Sequence, residues 1–184
     1  GWVHKSEDSD LDKQRFFDVN VTGTKNILGA LRNTPKHFVF FSTVSVYGIK
    51  DAVLNEESAV NPSSAYASSK LEAEKIIRDW GQERNTKVTC LRLASVYGEG
   101  NKGNLDKMFW TIRNNLFFMV ENGDARRSLV NIKNVIDASM AVLEKQQKEF
   151  EVYNITDGVD YSIREIYELT CKFMNKKPAC IRVP

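Results

Sequence analysis

The sequence of 184 residues lacks the marks of several common classes of protein. No apolar run approaches the roughly 18 residues that a membrane-spanning helix needs. The 26 basic and 24 acidic residues are scattered along the chain and form no basic face that would bind nucleic acid. The first residues also lack the basic and apolar stretches of a signal peptide. These absences predict a cytoplasmic protein without a nucleic-acid or membrane partner.

Cysteine and histidine are scarce. Cys90, Cys171 and Cys180 are odd in number and have no C-x-x-C spacing. His4 and His37 lie near no cluster of cysteines or carboxylates with the spacing of metal ligands. We therefore expect reduced thiols and no metal site.

Short apolar runs alternate with longer amphipathic stretches, which is typical of a parallel α/β sheet. The run HFVFFS over 37–42 and the β-branched run KVTCLRL over 87–93 are predicted to be buried strands. Further strands are predicted over 128–132 and 152–155. Helices are predicted over 11–31, 105–114, 135–146 and 162–174, the last with a capping box of Ser162 and Glu165, and from the cap Ser64 through Arg84.

Tyr66 and Lys70 are four residues apart near the start of the helix that Ser64 caps. This spacing places the phenol and the ammonium on one helical face. An ammonium beside a phenol favours the phenolate and lowers a pKa of about 10 toward the range that a general acid/base needs. By itself, the pair is explained better by a surface tyrosine that stacks on a lysine stem.

A hydroxyl residue at the end of a predicted strand supplies the missing context. The strand predicted over 37–42 is followed directly by Thr43, upstream of Tyr66. Ligands of open α/β sheets bind just beyond the carboxyl ends of the strands. The Thr43 hydroxyl can therefore share a substrate oxygen with Tyr66.

Several stretches, in the expected order, resemble the extended short-chain dehydrogenase/reductase family, specifically its nucleotide-sugar epimerase and dehydratase branch. They are DVNVTGT (18–24), FST (41–43) with VYG (46–48), the Tyr66/Lys70 pair, LR (91–92) with VYG (96–98), and YNI (153–155). The resemblance implies the second half of a doubly wound Rossmann-type parallel sheet plus part of a small C-terminal substrate-binding region. It assigns residues 1–98 to a partial NAD(P)-binding domain and 99–184 to substrate-binding elements with returning strands and helices.

The resemblance also implies a role for each candidate residue. Thr43, Tyr66 and Lys70 would form a catalytic triad in which Tyr66 is the acid/base, Lys70 tunes it and holds the nicotinamide ribose, and Thr43 binds the reacting oxygen. Ser42 and His4 would be further contacts of the cofactor, which is NAD or NADP. The cofactor would exchange a hydride with a carbon of the nucleotide sugar.

Two downstream residues match the part of the family that wraps the diphosphate of the nucleotide sugar, and a third stands at a position of that part where the chain departs from the family. Arg127 has the clearest physical reason, because a guanidinium offers a planar, permanently charged match to phosphate oxygens. Asn104 is the second. Ser95 is the third, although the family commonly has an asparagine near this position.

Val44 and Ser45 follow Thr43 at the positions where nucleotide-sugar dehydratases typically carry Asp-Glu. Neither side chain can act as a carboxylate acid or base, which argues against a 4,6-dehydratase. A 4-epimerase and a keto-sugar reductase both remain open. A third alternative, a non-catalytic NAD(P)-binding regulatory protein of the same superfamily, is opposed by the intact triad.

By the resemblance, the Gly-rich loop that binds the cofactor pyrophosphate belongs to a segment before Gly1. We therefore expect the chain to be most of the catalytic half of a longer enzyme, inactive by itself and weak in NAD binding. A bare strand edge predicts self-association, as a homodimer or otherwise. It also predicts incomplete burial of Trp2, Phe16 and Phe38.

Overall fold

The computed structural model describes residues 9–49, 52–100, 103–145 and 148–183. The strands are β1 (His37–Thr43), β2 (Lys87–Leu93), β3 (Ser95–Tyr97), β4 (Phe118–Val120), β5 (Arg126–Asn131), β6 (Phe150–Ile155), β7 (Asp160–Ser162) and β8 (Ile181–Val183). The helices are α1 (Asp10–Phe17), α2 (Gly23–Ala30), α3 (Ala65–Arg84), α4 (Asn104–Arg113), α5 (Ile132–Lys145) and α6 (Ile163–Phe173).

The chain forms two compact units. The first unit combines the described residues up to Ala94 with Val135–Ile155, and the second combines Ser95–Asn134 with the described residues from Thr156 onward. The first unit is therefore discontinuous in sequence. The assignment of cofactor and substrate binding to the two parts of the chain stays a prediction.

A parallel three-stranded sheet in the order β1-β2-β6 forms the centre of the first unit. The predicted bounds of β2 are confirmed, and β1 extends one residue further than predicted, to Thr43. Helix α3 packs on the sheet around a core cluster of Leu28, Ile77, Val88 and Cys90. The parallel α/β fold predicted from the sequence is confirmed.

The helix predicted over 11–31 contains one irregular turn. Between α1 and α2, Asp18–Thr22 forms a π-helical turn without a break in the helical path. Asn20 in this turn is buried, and its Nδ2 donates to Ser69 Oγ of α3 at 3.0 Å. The wider turn thus anchors the first helices to the helix that carries Tyr66.

Two burial expectations are wrong. Phe16 is only 1% exposed, because its ring packs edge-on against Tyr66 at a centroid distance of 5.8 Å. Phe41 was predicted to lie on a strand buried on both faces, yet it is 49% exposed. Its strand, β1, lies at an edge of the sheet among the described residues. Trp2 lies outside the described residues.

The second unit contains shorter strands that sequence patterns did not predict, in addition to β5, which was predicted. Strand β5 pairs in parallel with β3 and antiparallel with β7, and β4 pairs in parallel with β8. Helices α4 and α6 enclose a core of Ile112, Met119, Tyr167 and Cys171. The predicted capping box of Ser162 and Glu165 at the start of α6 is confirmed.

Candidate active site

Two hydroxyl side chains lie at the carboxyl end of β1. Ser42 and Thr43 are both buried, and Thr43 caps the short 3-10 turn Val44–Tyr47 by accepting a hydrogen bond from the Ser45 N–H at 3.2 Å. The chain then turns at Gly48, whose φ of 77° and whose close approach to the Asn61 carbonyl exclude a side chain. This turn fixes Thr43 at the end of the strand.

Tyr66 lies in the first turn of α3, where Ser64 caps the helix by accepting from the Ala67 N–H. Its phenol forms a hydrogen bond with the Thr43 side chain. Burial raises the pKa of Tyr66, and the hydrogen bond with Thr43 opposes this shift. The structure therefore brings two members of the predicted triad into direct contact.

Lys70 follows one turn later on α3 and is buried against the sheet. Its Nζ lies 4.0 Å from the centre of the Phe40 ring. Burial lowers the pKa of Lys70 to about 8, and the Glu74 carboxylate opposes this shift. The expected lowering of the Tyr66 pKa by Lys70 is wrong for this structure, because burial of the phenol is the largest influence on Tyr66.

Ser42 Oγ is buried and has no hydrogen-bond partner among the described residues; Glu151 Oε2 is the other such atom. A buried hydroxyl without a partner costs free energy, so an atom in this state is suited to a polar group of a bound ligand. Ser42 lies next to Thr43, which contacts Tyr66. His4, the other predicted cofactor contact, lies outside the described residues.

A buried polar network that sequence reasoning missed lies beside Lys70. The Arg92 guanidinium on β2 donates to both carboxylate oxygens of Glu74, at 3.1 and 2.7 Å. It also donates to the Tyr47 hydroxyl at 2.9 Å, and this hydroxyl donates to Asn154 Oδ1 at 2.8 Å. An arginine within a strand predicted to be buried was a signal, because a buried charge needs a partner.

The predicted diphosphate contacts Ser95, Asn104 and Arg127 all belong to the second unit and are exposed. Ser95 begins β3, Asn104 begins α4, and Arg127 lies on β5. The Arg127 Nη1 donates to the Arg126 carbonyl at 2.8 Å. The Arg126 guanidinium is engaged by the Asp160 carbonyl and lies 3.8 Å from the Glu165 carboxylate.

Gly98, Gly100 and Gly103 have the G-x-G-x-x-G spacing of dinucleotide-binding loops, which the sequence analysis did not consider. They lie between β3 and α4. Packing alone accounts for Gly98, since a Cβ there would lie 2.5 Å from Ile132 Cγ2. Strand β3 is only three residues long, and residues 101–102 of the loop lie outside the described ranges.

The described ranges contain neither a candidate membrane span nor a candidate metal cluster. None of the helices in those ranges is both long enough and apolar enough to cross a bilayer. No group of three or more His, Cys, Asp or Glu side chains within them is arranged to hold a metal ion.

The parallel sheet, with a threonine–tyrosine contact at the carboxyl end of a strand and a lysine one turn further along the helix, defines a protein of the short-chain dehydrogenase/reductase class. Within that class, the model of the NAD dependent epimerase/dehydratase family matches residues 2–156. The chain therefore belongs to the NAD dependent epimerase/dehydratase family.

Individual relatives include both epimerases and reductases. The chain is 30% identical over 172 residues to N-acetyl-alpha-D-glucosaminyl-diphospho-ditrans,octacis-undecaprenol 4-epimerase of Escherichia coli O157:H7, with 92% of this chain and 52% of the relative covered. It is 30% identical over 172 residues to GDP-6-deoxy-D-mannose reductase of Pseudomonas aeruginosa, with 86% and 56% covered.

Solved structures share the fold. UDP-glucuronic acid 4-epimerase from Bacillus cereus, in complex with UDP-glucuronic acid and NAD, superposes with a TM-score of 0.84 at 24% identity, and the match covers 94% of this chain and 56% of that chain. The chain thus spans about half the length of the relatives that it matches.

Proposed function

We propose that this chain carries the catalytic residues of an NAD(P)-dependent 4-epimerase that acts on a nucleotide sugar. The contact between Thr43 and Tyr66 at the carboxyl end of β1 carries the proposal. The Tyr66 phenol can transfer a proton to or from a substrate oxygen, and the Thr43 hydroxyl can hold the same oxygen. Both groups lie at the edge of the sheet where such folds bind ligands.

The cofactor, when bound, supplies the hydride chemistry at the sugar carbon. Tyr66 transfers the proton of the reacting hydroxyl, and Thr43 orients that oxygen. Lys70 supports Tyr66 from the same helical face and holds the nicotinamide ribose, while Ser42 offers its unpartnered hydroxyl to the cofactor. Arg127, Asn104 and Ser95 are the proposed contacts of the substrate diphosphate.

Epimerases and reductases among the relatives support hydride and proton transfer without elimination of water. Val44 and Ser45, which follow Thr43, offer no carboxylate for the elimination, and Ser45 Oγ lies 3.1 Å from Thr43 Oγ1.

A reductase of nucleotide-linked keto sugars is the second candidate. Reduction of a ketone needs Tyr66 as a proton donor, and burial raises the pKa of this phenol, which keeps it protonated at neutral pH. The Pseudomonas aeruginosa relative supports this reaction as well. A non-catalytic regulatory role is a third possibility, which any measured turnover would exclude.

The carrier of the sugar is a separate question. The Escherichia coli relative, by its name, acts on a sugar joined through a diphosphate to undecaprenol. The paired strands β4 and β8 of the present chain expose Phe118, Val120 and Ile181 by more than half. A lipid-linked diphosphate sugar is therefore an alternative to the nucleotide sugar, with the same chemistry at the sugar carbon.

Substitution of Tyr66 tests the proposal in the full-length protein. Tyr66→Phe should lower turnover by roughly 10²-fold or more, since acid/base groups contribute about 10² to 10⁴. Tyr153→Phe, a partly exposed tyrosine on β6, is the matched control and should retain turnover. Retention of more than about a tenth of the wild-type rate in Tyr66→Phe would contradict the role of Tyr66.

A substrate panel separates the candidate reactions. UDP- and GDP-linked sugars, their 4-keto derivatives and a polyprenyl-diphosphate-linked N-acetylhexosamine are incubated with NAD or NADPH. A 4-epimerase interconverts C4 epimers without net consumption of NAD(P)H, whereas a reductase consumes NADPH in proportion to product. If no sugar gave either C4 interconversion or NADPH consumption, the non-catalytic regulatory role would be the remaining candidate.

A further inference from the structure

Two polar residues of the sheet hold Tyr47, which ends the short turn that begins directly after Thr43. Arg92 on β2 donates from Nη1 to the Tyr47 hydroxyl at 2.9 Å, and this hydroxyl donates to Asn154 Oδ1 on β6 at 2.8 Å. Within the sheet, Arg92 pairs with Ser42 on one side and with Asn154 on the other. The partners of Tyr47 thus lie in the row of residues immediately before Thr43.

These contacts are buried and have little freedom to rearrange. Tyr47 is only 1% exposed, and the guanidinium carbon of Arg92 lies 4.9 Å from the centre of its ring. Two other nitrogens of Arg92, Nε and Nη2, donate to the two carboxylate oxygens of Glu74 at 3.1 and 2.7 Å. A buried guanidinium needs such partners, because an unpaired charge in the interior is costly. The Tyr47 hydroxyl therefore has a fixed place relative to α3, the helix that carries Glu74.

The same helix carries Tyr66, so Tyr47 connects the two halves of the candidate active site. On one side, Tyr47 ends the 3-10 turn that Thr43 caps. On the other side, Arg92 and Glu74 join Tyr47 to α3 about two helical turns beyond Tyr66. A displacement of the Tyr47 hydroxyl should therefore move Thr43 relative to Tyr66.

The connection that leads from this turn to α3 is bound at the same place. The Asn61 N–H donates to the carbonyl of Val46, the neighbour of Tyr47, at 2.9 Å. Further along, Glu56 Oε1 accepts from the Asn154 N–H at 2.7 Å. Asn154 thus holds the connection twice, through its side chain at Tyr47 and through its main chain at Glu56.

We propose that Tyr47 is a positioning residue whose hydroxyl, held between Arg92 and Asn154, sets the place of Thr43 against Tyr66. The effect on turnover rests on the proposed function, in which Thr43 and Tyr66 act on the same substrate oxygen. The effect on the contact between these two side chains does not, and it can be measured without substrate.

The direct test follows the Tyr66 phenol in the full-length protein by NMR of tyrosine labelled with ¹³C at Cζ. Tyr66→Phe assigns the signal, and Thr43→Val shows where the signal lies once the hydrogen bond with Thr43 is lost. Tyr47→Phe keeps the ring beside Arg92 and removes only the hydroxyl, so it should move the Tyr66 signal toward its position in Thr43→Val. An unmoved Tyr66 signal in folded Tyr47→Phe would overturn the proposal.

Tyr97→Phe is the matched control. Tyr97 also follows a valine and precedes a glycine, and its hydroxyl donates to Asp157 Oδ2 at 2.9 Å within the second unit. The substitution removes the same atom and the same kind of hydrogen bond, so it should leave the Tyr66 signal in place. An equal shift in Tyr97→Phe would show that a general loss of stability moves the signal, which contradicts the proposal.

Asn154→Ala covers the case in which Tyr47→Phe does not fold. It removes the acceptor of the Tyr47 hydroxyl, while the main-chain N–H that binds Glu56 remains. The Tyr66 signal should move in the same direction as in Thr43→Val. An unmoved signal in this variant would contradict the holding of the Tyr47 hydroxyl by Asn154.

Turnover of the full-length protein separates the proposal from the proposed function. Misplacement of a reacting group can cost about 10²-fold, so Tyr47→Phe should lower kcat by roughly 10-fold or more with little change in KM. In a Thr43→Val background the same substitution should cost much less, because the hydroxyl that Tyr47 positions is already absent. An undiminished loss in that background would contradict action through Thr43. A moved Tyr66 signal together with wild-type turnover in Thr43→Val would keep the positioning role and reject the proposed role of Thr43 in the reaction.

Discussion

Two helical glycines should respond in opposite directions to the same substitution. Gly81 lies in α3 where the helix approaches β2, and a Cβ there would lie 2.4 Å from Val88 Cγ2 and 3.0 Å from the Thr86 carbonyl oxygen. Gly29 lies in α2, where a Cβ would meet nothing within 4 Å. Alanine is favoured over glycine in helices by about 1 kcal/mol, so packing decides the sign of each effect.

For Gly29→Ala we expect a gain of about 0.5–1 kcal/mol in the free energy of unfolding. At Gly81 the obstructing atoms are a backbone carbonyl and a β-branched side chain that is stiff at χ1, so neither moves freely. Overpacking costs about 1–3 kcal/mol, and we expect a net loss of about 1–2 kcal/mol for Gly81→Ala. Urea denaturation followed by circular dichroism measures both variants. Equal stability of the two would refute the close approach of α3 to β2.

Two further predictions concern the second unit. Arg127→Ala should raise KM by about one to two decades, with a smaller effect on kcat, because a charge-assisted hydrogen bond contributes about 1.5–3 kcal/mol. Steady-state kinetics and calorimetry measure this change. The control is Arg126→Ala, which should leave substrate affinity near wild type because the Arg126 guanidinium is already engaged by the Asp160 carbonyl. Ser162→Ala removes the cap and one half of the capping box of α6, so the free energy of unfolding should fall by about 1 kcal/mol in urea denaturation; a change below about 0.3 kcal/mol would show that the box contributes little.

Local signals explain what could be predicted from the sequence. The β-branched run of β2, the Ser64 cap of α3 and the Ser162–Glu165 box of α6 each act within a few residues, and the structure contains all three. The three-residue strands β3, β4, β7 and β8 were missed, because so short a stretch shows no alternation of polar and apolar residues. The π-helical turn at Asp18–Thr22 was missed for a related reason, since its neighbours have ordinary helical spacing.

Part of the site depends on contacts that a linear pattern does not contain. The spacing of Tyr66 and Lys70 correctly places both on α3, but the direction of the Tyr66 pKa shift depends on burial, which only the packed structure shows. The partner of Arg92 is likewise unmarked in the sequence, because Glu74 lies on the preceding helix and meets it only when α3 packs on the sheet. The roles of Ser95, Asn104 and Arg127 stay predictions.

The discontinuity of the first unit has a consequence for the order of folding. Strand β2 pairs with β6, in which Phe150 is the partner of Val88, and the whole stretch 95–134 of the second unit is synthesised between them. Closing such a long loop costs entropy before the pairing returns any stabilisation, so this step should be slow. During translation, the β2 edge stays open until β6 leaves the ribosome, and a nascent chain stalled before residue 150 should be prone to aggregate through that edge.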